Sequence, residues 1–214
     1  MIDKWLSKSK LNNGLERLSK KLLFGRISAN QLTVVGLIIG LLSALSILLS
    51  KFSSWTFGFI ICSIVLMVIS FFFDVLDGAV ARIETPSIFG GILDVFSDRT
   101  VEVSIIIALI STDPSTLMWP GILSLGAIIL CITMFLIVGG SIKDTDLDDS
   151  KKVIYYRHGL MERSETFLFL LLITILVLWR FILLTIFAIL VFTTALLRLR
   201  DAYNIFKPQK IKQF

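Results

Sequence analysis

Long apolar stretches separated by short polar ones dominate the pattern of this chain. Three uncharged runs exceed the roughly 20 residues that a helix needs to cross a bilayer, and they cover residues 27–50, 52–73 and 114–142. Three further apolar segments are shorter or carry charged side chains, and they cover residues 87–111, 163–179 and 181–202. The pattern therefore predicts an all-α integral membrane protein with six transmembrane helices.

Polar residues flank this predicted bundle at both ends. In the first 26 residues, leucines such as Leu11 and Leu15 recur at helical spacing among lysines and arginines. This pattern is typical of an amphipathic helix that lies in the lipid headgroup region, and a soluble packing helix is the alternative. Since the chain shows no internal repeat and no flexible linker, we predict one domain over residues 1–214, made of an interfacial helix (1–26), a six-helix bundle (27–206) and a basic tail (207–214).

Composition agrees with a membrane protein and argues against a soluble one. Hydrophobic residues make up 56% of the chain and charged residues only 17%, whereas soluble domains have roughly 25% charged residues. The mean hydropathy is +0.89. The chain is therefore too apolar for an ordinary soluble domain.

The net charge of +5 is informative through its distribution. Lysine and arginine concentrate before the first span, after the second, after the fourth and after the sixth. By the positive-inside rule, we expect a multi-pass protein of the cell membrane with both termini on the cytoplasmic side. The basic residues are dispersed and form no recognisable nucleic-acid-binding module, so nucleic acid is not an expected partner.

Four carboxylates interrupt the apolar pattern where the second span leads into the third: Asp74, Asp77, Asp94 and Asp98. The first two are three residues apart and the last two are four apart, so each pair lies on one face of a helix. The second span shows no strong breaker before Pro86, and the residue before a proline is a common helix boundary. Antiparallel packing across this turn brings the two pairs together, on the cytoplasmic side.

Such a cluster requires a counter-charge. A charged side chain at the centre of a membrane helix costs roughly 2.5–3.5 kcal/mol on translocon scales, and four carboxylates also repel one another. Bound divalent cations would remove the repulsion. Carboxylate oxygens suit magnesium, manganese or calcium, and no histidine or cysteine lies nearby to favour zinc.

These residues carry a family resemblance. The pattern Asp74-x-x-Asp77-Gly78-x-x-Ala81-Arg82, followed after seven residues by Gly90-x-x-x-Asp94-x-x-x-Asp98, resembles the signature of the CDP-alcohol phosphotransferases, also called phosphatidyltransferases. Every signature position is filled, and the layout of the whole chain is similar. The resemblance implies an enzyme of phospholipid biosynthesis that moves a phosphatidyl-type group from a CDP-linked lipid to the hydroxyl of a polar alcohol and releases CMP.

The resemblance also implies roles for individual residues. The four aspartates would hold two Mg²⁺ or Mn²⁺ ions, and Asp98 would also be the general base. Residues implied at the nucleotide are Gly78, Ala81, Arg82, Asn30 and Thr33. The stretch from Asn30 to Thr33 departs from the family pattern, since Ala29 stands where the family usually has proline. A homodimer in the lipid bilayer is the implied assembly.

The sequence says less about the acceptor alcohol than about the donor. Four basic residues resemble elements of the phosphatidylinositol-phosphate and archaetidylinositol-phosphate synthases, which bind inositol phosphate: Lys143, Arg163, Arg198 and Arg200. Positive-inside charge explains them equally well. The acidic segment that follows Lys143 departs from that subgroup, so inositol phosphate and glycerol phosphate both remain open as acceptors.

A membrane transporter is the alternative function. Aspartates within a membrane can form a cation or proton pathway. Such a pathway places ionisable groups at several depths and broken helices in matching halves. Here the acids cluster at one place and the chain shows no halves, so the sequence favours the enzyme.

Overall fold

The computed structural model describes residues 27–83, 87–143, 161 and 163–206. All regular secondary structure in these ranges is helical. The elements are α1 (Ala29–Leu49), α2 (Thr56–Ala81), α3 (Ile88–Thr112), α4 (Pro114–Lys143), α5 (Arg163–Ile175), a 3-10 turn (Val177–Trp179) and α6 (Arg180–Phe206). Each of the six predicted spans contains a helix. The predicted interfacial helix (1–26) and basic tail (207–214) lie outside the described residues.

Four stretches of helix are long and apolar enough to cross a membrane: Ala29–Leu49, Thr56–Ala81, Pro114–Ser141 and Val177–Asn204. The other two predicted spans do not meet this standard, because α3 carries several charged residues and α5 has only 13 residues. The all-α membrane class is therefore supported. That α3 and α5 also cross the membrane stays a prediction.

Local signals explain where the helices near the aspartates begin and end. Ser28 caps α1: its side chain accepts a hydrogen bond from the backbone N–H of Gln31, and the Gln31 side chain accepts one from the backbone N–H of Ser28. These two bonds form a capping box. Helix α2 continues past its apolar run and ends at Ala81. Ser87 then caps α3 by accepting a hydrogen bond from the Gly90 N–H at 2.9 Å. The signature residues therefore occupy the last turns of α2 and the first turns of α3.

Helix packing places the first turns of α1 and α5 beside these turns. Helix α1 packs against both α2 and α3, α4 packs against α6, and α5 contacts α2, α3 and α6. At Gly40 the approach of α1 to α3 is so close that a Cβ atom would lie 2.5 Å from Val101 Cγ2. This glycine allows α1 to pack closely against α3.

The outer surface of the bundle is apolar. Ile61 of α2 and Ile129 of α4 are more than 60% exposed, while polar residues such as Ser43 and Ser63 are fully buried and hydrogen-bond to each other at 2.9 Å. Exposed apolar surface on this scale is unfavourable in water. This distribution of apolar and polar residues is expected for a helical bundle that is surrounded by lipid.

Candidate functional site

Four helix ends meet at one end of the bundle. The last turns of α2 and the first turns of α1, α3 and α5 lie together there. The side chain of Thr33 in α1 contacts Asp77 of α2, and the side chain of Asn30 lies against the backbone of Gly90 in α3. The signature residues, which are separated by the turn around Pro86 in the sequence, are thus assembled with residues from distant parts of the chain.

Three of the predicted carboxylates converge on one point. Asp74, Asp94 and Asp98 each offer a carboxylate oxygen, and these oxygens all lie within 4.8 Å of one another. Their side chains are between 17% and 35% exposed, so they are partly shielded but reachable. Such a set of oxygen donors fits a hard divalent cation. The expectation that aspartates of α2 and α3 meet is confirmed for these three.

A positively charged side chain lies among the three carboxylates. The Arg163 Nη2 atom is 2.5 Å from Asp98 Oδ1 and 3.2 Å from Asp94 Oδ1, and it also forms an ion pair with Asp74. The second terminal nitrogen of Arg163 donates to Asp94 Oδ2 at 3.4 Å. From the sequence, Arg163 was predicted to bind the acceptor. The structure places it at the predicted metal ligands.

The fourth aspartate is held apart from this group. Asp77 is only 5% exposed, and its Oδ2 atom accepts a hydrogen bond from the Thr33 hydroxyl at 2.6 Å. Helical spacing placed Asp77 on the same face as Asp74, but packing against α1 gives it a different partner. Its role as a metal ligand stays a prediction.

A cavity beside the aspartates has a mixed lining. Its charged lining residues are Asp74, Asp77, Asp98 and Arg163, and its apolar ones include Met67, Phe71, Phe167 and Leu170. A cavity that combines carboxylates with apolar side chains can accept a ligand that has a charged head and an apolar body.

Three further polar residues of this cavity were missed by the sequence reasoning: Ser70, Ser97 and Glu102. Glu102 is 6% exposed and pairs with Arg99 at 2.5 Å. It lies four residues after Asp98, so continuing the four-residue repeat by one turn could have found it. Ser97 is buried, and within the described part of the chain its hydroxyl has no hydrogen-bond partner. No pattern in the sequence singles out Ser97.

The residues predicted at the nucleotide lie in the first turns of α1 and at the end of α2. The guanidinium of Arg82 folds over Gly78, with Nη1 3.7 Å from the position a Cβ atom would take there. Ala81 packs against the small apolar cluster formed by Ala29, Leu32, Leu76 and Val80. Thr33 contacts Asp77, and Asn30 lies against Gly90. The role of all five residues at the nucleotide stays a prediction.

Among the other predicted acceptor residues, the structure shows the contacts of Arg198 and the exposure of Arg200. Arg198 donates to the carbonyl of Cys131 at 2.9 Å, and its guanidinium lies 5.1 Å from the centre of the Phe135 ring. Arg200 is exposed on α6. Lys143 ends α4, and its side chain lies outside the described residues. Acceptor binding by these three stays a prediction.

One curated protein is similar in sequence to part of this chain. One curated relative is the archaetidylinositol phosphate synthase of Pyrococcus horikoshii, which is 35% identical over 101 residues, or 47% of this chain and 50% of that protein. The chain thus matches about half the length of this curated relative.

A solved structure shares the fold. The crystal structure of Mycobacterium tuberculosis phosphatidylinositol phosphate synthase with CDP-DAG bound aligns with a TM-score of 0.68 at 18% identity. The alignment covers 92% of this chain and 98% of that one. The two chains therefore share the same fold.

The family itself is shown by a match over most of the sequence. Residues 26–197 match the family model described as CDP-alcohol phosphatidyltransferase, and this range contains every signature residue from Asp74 to Asp98. The chain is therefore a member of the CDP-alcohol phosphatidyltransferase family.

Proposed function

We propose that this protein transfers a phosphatidyl-type group from a CDP-linked lipid to the hydroxyl of a polar alcohol and releases CMP. The observation that carries the proposal is the convergence of Asp74, Asp94 and Asp98 from two helices at one end of an apolar bundle. Membership of the family supports transfer chemistry over the alternative of ion transport. The reaction belongs to phospholipid biosynthesis.

Two Mg²⁺ or Mn²⁺ ions are the proposed cofactors. The three converging carboxylates supply hard oxygen ligands, and Asp77, which lines a cavity together with Asp74 and Asp98, is proposed as the fourth. When bound, the cations would supply positive charge that neutralises the diphosphate of the donor and aligns it for transfer.

The donor is proposed to bind with its nucleotide against the ends of α1 and α2. Gly78 and Ala81 leave room beside the backbone, while Arg82, Asn30 and Thr33 supply polar groups. The structural neighbour from Mycobacterium tuberculosis was solved with CDP-DAG bound, which supports a CDP-linked lipid as donor. The apolar part of the cavity is chemically suited to the lipid.

Asp98 is proposed as the general base. Its carboxylate accepts the proton of the acceptor hydroxyl as the hydroxyl oxygen forms a bond to the phosphorus atom that carries the lipid. The bond from this phosphorus to the oxygen of CMP breaks, and CMP leaves with that oxygen. The protein mainly aligns the reacting groups, as is general for phosphoryl transfer.

A phosphorylated alcohol is the proposed acceptor. Arg163 has the strongest support as a contact for its phosphate, since its guanidinium lies beside Asp98, and guanidinium groups match phosphate geometry. The named activities of the two relatives favour inositol phosphate, with glycerol phosphate as the second candidate. Lys143, Arg198 and Arg200 complete the proposed acceptor set.

The proposed setting is a multi-pass homodimer in the cell membrane. The distribution of basic residues supports a cytoplasmic location for both termini and for the end of the bundle that carries the aspartates. A water-soluble alcohol and a membrane lipid can both reach a site at this boundary. The homodimer rests on the family resemblance.

CMP release by the purified protein tests this proposal. The assay combines CDP-diacylglycerol or a CDP-linked archaeal-type ether lipid with Mg²⁺ or Mn²⁺ and with inositol phosphate, glycerol phosphate, inositol, serine or ethanolamine. We expect CMP release that requires the divalent cation and is fastest with one phosphorylated acceptor. Absence of CMP release with every donor, acceptor and cation would contradict the proposal.

The substitution Asp98→Asn tests the proposed general base. Loss of the base is expected to lower turnover by at least about 100-fold, the lower end of the range for general-base catalysis. Asp113→Asn makes the same chemical change at the opposite end of α3, where Asp113 is the C-cap residue, and should leave turnover unchanged. Near-normal turnover by the Asp98 variant would show that the base is another group.

A further inference from the structure

We infer that Arg163 acts as a built-in counter-ion that closes the metal site in the metal-free protein and must leave before metal binds. This inference rests on the metal site proposed above, and it adds a mechanism that decides when this site can bind metal. It assigns Arg163 two successive positions, first among the metal ligands and then, once displaced, at the phosphate of the acceptor.

The contacts of Arg163 show why it is suited to this role. One guanidinium reaches Asp74 at the end of α2 and both Asp94 and Asp98 at the start of α3. Its contact with Asp94 uses both terminal nitrogens, at 3.2 and 3.4 Å. A planar guanidinium has five N–H donors and can satisfy several carboxylate oxygens at once.

The guanidinium and a metal ion compete for the same oxygens. The carboxylate oxygens of the three aspartates lie within 4.8 Å of one another, and Arg163 Nη2 lies 2.5 Å from the nearest Asp98 oxygen. A magnesium ion needs oxygen ligands at about 2.0–2.1 Å in a nearly octahedral arrangement. There is no room for both, and two positive charges at this distance also repel.

The position of Arg163 in the fold allows it to leave. It is the first residue of α5, and its side chain is 31% exposed. Rotation about its side-chain bonds can withdraw the guanidinium without moving the helix. The rest of the helix stays anchored, because Leu170 and Ile173 of α5 are buried in the main apolar core.

Two consequences follow for the reaction. While Arg163 contacts Asp98, that carboxylate is engaged and is not available to take a proton from the acceptor. Metal loading would therefore free both the base and the arginine, so metal is expected to bind before the acceptor. By linkage, a phosphorylated acceptor that binds the displaced arginine should in turn strengthen metal binding.

Metal binding to the purified protein without lipid or acceptor tests the inference. Metal-stripped protein is titrated with Mn²⁺, and the free ion is followed by its electron paramagnetic resonance signal. If the closed form accounts for about nine tenths of the metal-free protein, Arg163→Gln should bind Mn²⁺ about tenfold more tightly than the unsubstituted protein. The metal-free variant should also melt at a lower temperature, and Mn²⁺ should raise its Tm by more than it raises that of the unsubstituted protein.

Arg99→Gln is the matched control. It removes the same charge one residue after Asp98, but the guanidinium of Arg99 is paired with Glu102. Its Mn²⁺ affinity should stay within about threefold of the unsubstituted protein, since charge effects across partly exposed groups are modest. Equal tightening by both variants would show a general charge effect and would overturn the counter-ion role.

The remaining outcomes separate this inference from the proposed metal site. If all proteins bind Mn²⁺ with the same affinity, the metal site stands and the role of Arg163 is wrong. If none binds Mn²⁺, the metal site itself is wrong. Arg163→Met, which keeps an unbranched side chain without charge, replaces the glutamine variant if that one fails to fold and has the same expected affinity.

Discussion

At the scale of single residues, the contact between Thr33 and Asp77 shows how a neighbouring helix positions a carboxylate of the proposed site. The Thr33 hydroxyl lies 2.6 Å from Asp77 Oδ2 and 3.0 Å from the carbonyl of Ala29. Thr33 is 7% exposed and Asp77 is 5% exposed. A buried carboxylate is costly unless it is hydrogen-bonded, so this hydroxyl stabilises the aspartate in place.

Thr33→Val tests this contact, because valine keeps the shape of threonine and removes the donor. A hydrogen bond to a charged group contributes about 1.5–3 kcal/mol, and we expect a loss of this size in the free energy of unfolding, measured by denaturant titration in detergent. Thr185→Val is the control, since Thr185 is partly exposed and its hydroxyl bonds only to the carbonyl of Phe181 in its own helix. Equal effects of the two substitutions would contradict the assignment.

At the scale of helices, Arg180 stabilises the turn between α5 and α6. The sequence predicted a fifth span that extends to Trp179, but α5 ends at Ile175 and a 3-10 turn follows. The Arg180 guanidinium donates to the carbonyls of Ile173 and Thr174 at 3.2 and 3.3 Å. The last carbonyls of a helix have no partner within the helix, and a cation there also complements the helix dipole.

Arg180→Met is expected to destabilise the bundle. Arg180 is 6% exposed, so its removal leaves buried carbonyls without this donor, at a cost of about 1–3 kcal/mol. The measurement is the midpoint of unfolding in detergent. Arg200→Met removes an exposed arginine from the other end of α6 and should change stability by less than about 0.5 kcal/mol. A midpoint for Arg180→Met equal to that of the control would show that the turn is held by other contacts.

At the scale of the whole molecule, the bundle has two chemically different ends. One end carries the aspartates and Arg163. At the other end, Lys51 donates to the carbonyl of Ser111 at 2.8 Å and thereby joins the turn after α1 to the end of α3. The positive-inside rule predicts that the aspartate end faces the cytoplasm, which is the orientation proposed above.

Cysteine labelling in intact cells tests this orientation. In a variant whose two native cysteines, Cys62 and Cys131, are replaced by alanine, Ser54→Cys lies in the turn after α1 and Gly91→Cys lies near the aspartates. Ser54 is exposed, and a side chain at Gly91 meets open space. A maleimide that cannot cross membranes should label the Ser54 variant in intact cells and the Gly91 variant only after permeabilisation. The opposite pattern would invert the proposed orientation.

Much of the site could be read from the sequence because helical spacing is a local property. The positions of Asp74, Asp94 and Asp98 determined which helix faces they occupy, and the turn around Pro86 implied that those faces meet. The converging oxygens of these three aspartates confirm that expectation, and the family match confirms the resemblance that the same residues carried.

By itself, then, the sequence determined the apolar helices, the carboxylate motif and the family. Only the tertiary structure decided which partners each charged side chain takes. Arg163 is 65 residues from Asp98 along the chain, and Thr33 is 44 residues from Asp77, so their contacts depend on how α1 and α5 pack against α2 and α3. The physical reason is that spacing within a helix defines its faces, whereas the rotation and depth of a neighbouring helix depend on side chains far away in the sequence. The carboxylate cluster was therefore predictable, and the arginine that lies within it was not.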